Sequence, residues 1–258
     1  MKIVLLGSGN VASHLGPILK KKGHKISQLF SHTSSNGIIL SKKLKCTFTT
    51  NSDQIDPTAD LYIVALKDDI LASFIKKLLF IPKLIVHTSG SMGIDVFPKK
   101  FKSTGVLYPL QSLSKNRKIK PGNIPYCIEG NNPKASNSIR KLALSISSKV
   151  YVFNSEERKV IHLAAVFANN FSNYLFILAE NILKKKNIPF KILAPLITET
   201  AQKALNGAPE KMQTGPAKRG DKDIMNKHAE LLRDNKEAQK IYRQLSKSIT
   251  EYYQVPIQ

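Results

Sequence analysis

The chain has 258 residues, room for one large domain or two modest ones, and at 42% hydrophobic it can bury a core. Its net charge is +22, yet only six of the forty basic residues are Arg and the lysines fall in short, dispersed clusters. A nucleic-acid module would gather both on one face with interleaved aromatics, so nucleic acid is not the expected partner. Two cysteines, Cys46 and Cys127, match no metal or redox spacing, and no metal site is expected. Met1 leads directly into the first strand and no apolar run reaches the length of a membrane span. The expectation is a cytoplasmic protein without a signal peptide.

Residues 3 to 6 form a continuous apolar run, as a buried parallel strand does. Gly7-Ser8-Gly9-Asn10-Val11-Ala12 follows. Val11, Ala12, Leu15, Ile18 and Leu19 then recur at helical spacing to about residue 22. Strand, glycine turn and helix make the G-x-G-x-x-A dinucleotide fingerprint. Its physics is that of an anion site, where free N–H groups and the positive end of a helix meet a pyrophosphate. Gly7, Ser8, Gly9, Asn10, Val11 and Ala12 are the candidate cofactor-binding residues. The alternative is a turn that caps a helix and holds nothing.

A second strand is read at 25 to 30, ending in Ser31-His32-Thr33-Ser34-Ser35. An Asp or Glu here would bond the ribose of NAD, and none is present. Hydroxyls from Ser31, Thr33 and Ser34, with charge from His32 or from Lys42 and Lys43, suit the 2′-phosphate of NADP. NADP is the expected cofactor and NAD the alternative; an ordinary polar loop capping the next helix is the non-functional reading. Strands follow at 46–49, 60–66 and 84–87, with Ile70, Phe74, Ile75, Leu78 and Leu79 at helical spacing between the last two. This alternation implies an α/β fold with a doubly wound parallel sheet. Ligands of such sheets lie outside the carboxyl ends of the strands. Leu66 and Ser89 join the cofactor candidates, and His87 is a catalytic candidate unless it is hydrogen-bonded structure. Residues 106 to 112 read as a strand and a proline turn, 114 to 123 as a basic surface loop with Pro121-Gly122, and 126 to 129 as a strand. A helix from 132 to about 147 and a strand at 149–153 close a Rossmann domain at 1–153.

Residues 154–258 read as all-helical. Ser155-Glu156-Glu157 opens a helix that runs to about residue 184. A wheel at about 100° per residue places Arg158, His162, Asn169 and Asn173 in a roughly 60° arc, with Asn170 about 100° further round. This polar stripe lacks the Lys and Glu of a solvated face, although such a face would need no function. Helices at 194–206, 221–233 and 235–253 follow, with a turn-rich loop, Thr214-Gly215-Pro216-Ala217-Lys218-Arg219-Gly220-Asp221, before the last two.

The fingerprint, His87-Thr88-Ser89-Gly90, Tyr108-Pro109-Leu110-Gln111, the segment from His162 to Phe171 with Asn169-Asn170, and the 214–221 loop together carry a resemblance. On them the chain resembles, over nearly its whole length, the Rossmann-like family with a C-terminal DUF2520 domain. That family is similar to pyrroline-5-carboxylate reductases and 6-phosphogluconate dehydrogenase-like enzymes, and its members carry NADP-dependent oxidoreductase names without a settled substrate. The resemblance implies an NADP(H)-dependent oxidoreductase acting on a small carbonyl or imine compound, and a homodimer formed through the helical domain. In the related dehydrogenases the first long helix of the second domain supplies a proton donor and an orienting amide; here these would be His162 and Asn169. Arg219 suits a substrate carboxylate, or pairs locally with Asp221. Relatives often carry Ser-Arg-Thr where this chain has Ser31-His32-Thr33, which removes a planar phosphate clamp. No catalytic Lys stands on the stripe. The alternative class is a dimer that binds NADP(H) without turnover.

Overall fold

The computed structural model describes residues 1–115, 117 and 122–254. Residues 116 and 118–121 of the expected basic loop, Pro121 included, lie outside them. The first part of the chain alternates β1 (Lys2–Leu6), α1 (Asn10–Lys21), β2 (Lys25–Phe30), α2 (Ser34–Leu44), β3 (Thr47–Thr49), β4 (Leu61–Val64), α3 (Asp68–Lys76) and β5 (Ile85–His87). It continues through β6 (Thr104–Pro109), β7 (Tyr126–Gly130), α4 (Pro133–Ile146) and β8 (Val150–Val152). The eight strands form one sheet in the order β3-β2-β1-β4-β5-β6-β7-β8. The order reverses between β1 and β4, which is where a Rossmann sheet opens its ligand crevice. The sheet departs from the all-parallel expectation at one junction: β6 and β7 pair antiparallel. No described helix separates these two strands, and without a crossover helix the chain returns in the opposite direction.

The apolar run of β1 is explained by burial on both faces. Ile3 and Leu5 pack with Leu15 and Leu19 of α1 and Ile139 and Leu142 of α4. Val4 and Leu6 face the other way, towards Leu71, Phe74 and Ile75 of α3. The two-residue period of a strand sends alternate side chains to opposite layers, so a central strand needs no polar alternation. Each such fully buried side chain contributes about 1.5–3 kcal/mol relative to exposure. These two layers hold the carboxyl ends of β1, β4, β5 and β6 in place for the site.

Beyond β8 come α5 (Ser155–Ala165), a π turn (Val166–Phe171), α6 (Ser172–Lys184), α7 (Ala194–Asn206), α8 (Pro209–Met212), α9 (Pro216–Arg219), α10 (Lys222–Leu231) and α11 (Lys236–Gln254). The 30-residue helix expected from 155 is present, with the π turn inserted, and the short α8 and α9 occupy ground read as turns. Asn154 starts it with a reciprocal capping box: Glu157 N–H donates to Asn154 Oδ1 (2.9 Å) and Asn154 N–H to Glu157 Oε2 (2.8 Å). This helix corrects the expectation that no stretch is long and apolar enough to span a membrane, because by length and composition it is. Residues 160 to 179 contain no Lys, Arg, Asp or Glu.

Packing divides the chain into two compact units, Met1–Asn170 and the residues from Phe171 onward. The composition break after residue 153 marks the end of the sheet, whereas α5 and most of the π turn fall in the same compact unit as the sheet. Among the described residues of the second unit, the only buried ones are Ala217, Ala229 and Ala238.

Candidate active site

The fingerprint is built as an anion cradle. Gly7 has φ +122°, and a Cβ there would lie 2.3 Å from the Ala65 carbonyl oxygen after β4, so no side chain is tolerated. Its N–H donates to the Phe30 carbonyl (2.8 Å), which pins the turn to the end of β2. Gly9 caps α1 without any side-chain hydrogen bond, no acid occupies the first turn, and a Cβ on Gly9 would meet nothing within 4 Å. The first turn of α1 therefore lacks a side-chain cap and begins beside open space at Gly9. These are the conditions a pyrophosphate requires, and the residues fit a dinucleotide.

The second-strand loop divides differently from expectation. Ser31 is buried, donates its hydroxyl to the Thr33 carbonyl (3.1 Å), and pairs with the buried Ser8 hydroxyl at 2.6 Å. Both serines thus brace the two loops against each other, and Ser31 has no hydrogen left for a phosphate. Thr33 and Ser34 are exposed at the start of α2, where no side chain caps the helix. His32 is exposed and sits edge-on to Phe30, with centroids 5.1 Å apart. Lys42 and Lys43 lie in the last turn of α2, roughly 14 Å along the axis from Thr33 at 1.5 Å per residue, too far to charge that end.

At the ends of β4 and β5 the candidates are also sorted. Leu66 packs into the apolar layer behind Gly7. His87 is fully buried and stacked on Phe97. Its Nδ1 accepts from the Ser89 N–H (3.2 Å), so Nε2 carries the proton and donates to the Gly93 carbonyl (3.3 Å). Burial, and then the Arg158 charge, push its pKa down to about 4. A neutral ring with both nitrogens engaged shapes a turn; it corrects the catalytic reading of His87. Ser89 is likewise occupied, accepting from the N–H groups of Ser91 (3.2 Å) and Met92 (3.0 Å). Its neighbour Thr88 lines the open cleft instead.

That cleft, of about 370 Å³, lies within the first unit and runs from Val11 on α1 past Thr88, Tyr108 and Gln111 to His162, Asn169 and Asn170. Four of the sequence motifs meet in it. The Tyr108 hydroxyl and His162 Nδ1 are 3.1 Å apart, with the rings edge to face. Gly90 makes this pair possible: a Cβ there would stand 2.7 Å from both His162 Nδ1 and Tyr108 Cζ. Burial pushes the Tyr108 pKa up, with smaller contributions from Cys127 and Asp68.

Tyr108 lines the cleft although sequence reasoning gives it no role; the available signal is a Tyr-Pro turn at a strand end. A wheel at about 100° per residue puts Asn170 well round from Asn169, but the helix is not regular there. The π turn closes hydrogen bonds over five residues and turns less per residue, so Asn169 and Asn170 both line the cleft. Arg158 is fully buried in an ion pair with Glu129 and takes no part in a surface stripe. Arg219 belongs to the second unit, is exposed, and reaches Asp221 only at 3.9 Å.

The sheet order, the glycine cradle and the cleft beside it define a dinucleotide-binding α/β protein of the Rossmann class. A family model described as a domain of unknown function, DUF2520, matches residues 124–249. A Bacteroides fragilis protein provisionally named as an NADP oxidoreductase is 38% identical with a TM-score of 0.91, over 97% of this chain and 98% of its own. The chain belongs to the Rossmann-like DUF2520 family. More distant likenesses, in fold alone, are to an Aspergillus terreus reductive aminase in complex with NADPH and ethyl-5-oxohexanoate (12% identity, TM-score 0.73, 97% and 94% of the two chains) and to a Streptococcus pyogenes 1-pyrroline-5-carboxylate reductase (14%, 0.60, 97% and 98%). No curated protein matches the chain.

Proposed function

We propose that this protein is an NADP(H)-dependent reductase of a small imine or carbonyl compound, with Tyr108 and His162 handling the proton. The observation that carries the reading is the 3.1 Å Tyr108–His162 hydrogen bond inside a cleft whose other end is the first turn of the fingerprint helix. The dinucleotide, when bound, supplies the hydride. The rest falls to the chain. In this reading the Tyr108 hydroxyl, which burial keeps protonated, is the donor to His162 Nδ1 and holds the tautomer with the proton on Nε2. As Nε2–H passes its proton to the nitrogen or oxygen of the substrate, Nδ1 takes the Tyr108 hydroxyl proton, so the imidazole stays neutral and Tyr108 is reprotonated from solvent. Asn169 and Asn170 offer amide groups to orient that atom, and Gln111 offers a third. Fingerprint amides hold the pyrophosphate. Thr33 and Ser34 at the uncapped start of α2, with no acid in its first turn, favour the 2′-phosphate of NADP. The reductive aminase of similar fold, which is in complex with NADPH, supports this choice.

The working form in this reading is a homodimer made through the helical unit. That unit buries only three alanines among its described residues and exposes Leu175, Ile177, Ile192, Leu196 and Leu205. A second copy covers this surface and accounts for the apolar α5–α6 helix without a membrane.

The test is a fluorescence titration with NADPH and NADH, favoured by a chain without Trp, followed by turnover on a panel of imines, ketones and aldehydes. Expected are tighter binding of NADPH and oxidation on at least one imine or carbonyl. Equal affinity for NADH removes the NADP preference. Tight NADPH binding with no oxidation across the panel favours the non-catalytic binding role.

A further inference from the structure

Arg158 carries more structure than its position on a helix suggests. Its side chain is fully buried. One terminal nitrogen is ion-paired with Glu129 of β7; the other donates to the Met92 carbonyl (2.6 Å) and to Ser155 Oγ (3.3 Å). Ser155 Oγ donates in turn to Glu129 (2.8 Å) and accepts the Ile94 N–H (3.0 Å). Three separate pieces of chain are thereby joined: the end of β7, the turn after β5, and the first turns of α5.

Each piece adjoins the Tyr108–His162 pair: α5 carries His162, the turn after β5 carries Gly90, and β7 pairs with β6, which carries Tyr108. Arg158 lies four residues before His162, so both project from one face of α5. Met92 is two residues beyond Gly90, whose missing Cβ leaves room for the two rings. Glu129 pairs in register with Val106 and Cys127 with Tyr108. Cross-strand partners and i,i+2 neighbours share a face, so Glu129 and Tyr108 stand diagonally on the same side of the sheet.

We infer that the Arg158–Glu129–Met92–Ser155 cluster is a positioning clamp that sets the distance between His162 Nδ1 and Tyr108 and so fixes the tautomer of His162. The inference rests on the proton-donor reading of His162 for its purpose, but its test does not. The planar guanidinium is needed because one group must satisfy a carboxylate and a carbonyl at once, which an ammonium on a flexible stem does poorly.

The experiment is nitrogen NMR of the His162 ring in the full chain without ligand, with the signal assigned by its loss in His162→Ala. Wild type is expected to show one tautomer, protonated at Nε2. Tyr108→Phe, which removes the hydrogen bond, gives the reference spectrum of a released ring. Arg158→Lys and Glu129→Gln are expected to move the His162 nitrogen shifts towards that reference while circular dichroism shows a folded protein. Ser155→Ala, a milder change, is expected to move them part of the way. Wild-type shifts in the folded Arg158→Lys or Glu129→Gln variant overturn the clamp; should one of these fail to fold, the other decides. On a substrate found by the turnover panel, kcat is expected to fall on the order of 100-fold with NADPH affinity unchanged. Moved shifts in a protein that turns nothing over would sink the reductase reading and leave the clamp standing.

Discussion

Tyr108 and His162 share one hydrogen bond, so they should fail together. Tyr108→Phe and His162→Ala are each expected to lower kcat by about 10²–10⁴, and the double variant little further, because residues that act as a unit are not additive. Additive losses, read from steady-state kinetics, would mean the two side chains work separately. His87 makes a different prediction. An unfolded His titrates near 6.5, whereas this one is held at about 4. Between those values the unfolded chain binds a proton that the native state refuses, so stability rises with pH across that window. The slope from this residue is about 1.4 kcal/mol per pH unit within that window, and its stabilisation is fully lost once the pH falls below about 4. Urea unfolding from pH 4 to pH 7 should be less steep for His87→Phe than for wild type in that interval. Identical slopes would show that the ring is not held neutral.

The long helix from Ser155 shows how local signals combine. Its start is specified by sequence: Asn154 and Glu157 stand at capping-box spacing, and the structure closes both bonds. Asn154→Ala should cost about 1 kcal/mol of stability, seen as a lower urea midpoint with an unchanged denaturant slope. No change in midpoint would mean that tertiary packing alone holds the helix start. The middle of the helix is less legible. A π turn leaves no composition signal that a wheel can read, and it moved Asn170 from the flank to the cleft. The strands show the reverse. The apolar runs of β1, β4 and β5 were readable because both faces are buried. The reversal at β7 was not, because it depends on the path between β6 and β7 and not on the residues within either strand.

At the scale of the whole molecule, the second unit cannot hold itself together by burial as the first does, since its buried side chains among the described residues are three alanines. Sedimentation equilibrium should return a dimer, and the melting temperature should rise with protein concentration, as it does when association and folding are linked. A monomer at every concentration tested would refute the dimer and leave the exposed apolar helix in need of another partner.

Sequence alone determined the Rossmann architecture, because the fingerprint and the strand runs are local: a glycine turn and an apolar period each act on neighbours along the chain. It also marked Gly7 to Ala12, His162 and Asn169 as candidates, from chemistry carried in short motifs. Only the tertiary structure decided which polar residues face open space. His87, Ser89 and Ser31 looked as available as Thr88 and Tyr108, yet their hydrogen-bonding groups are taken up by turns and by each other. Burial and hydrogen-bond satisfaction depend on residues far away in sequence. Arg158 joins Glu129, 29 positions earlier, to Met92, 66 positions earlier, and no spacing along the chain announces that contact.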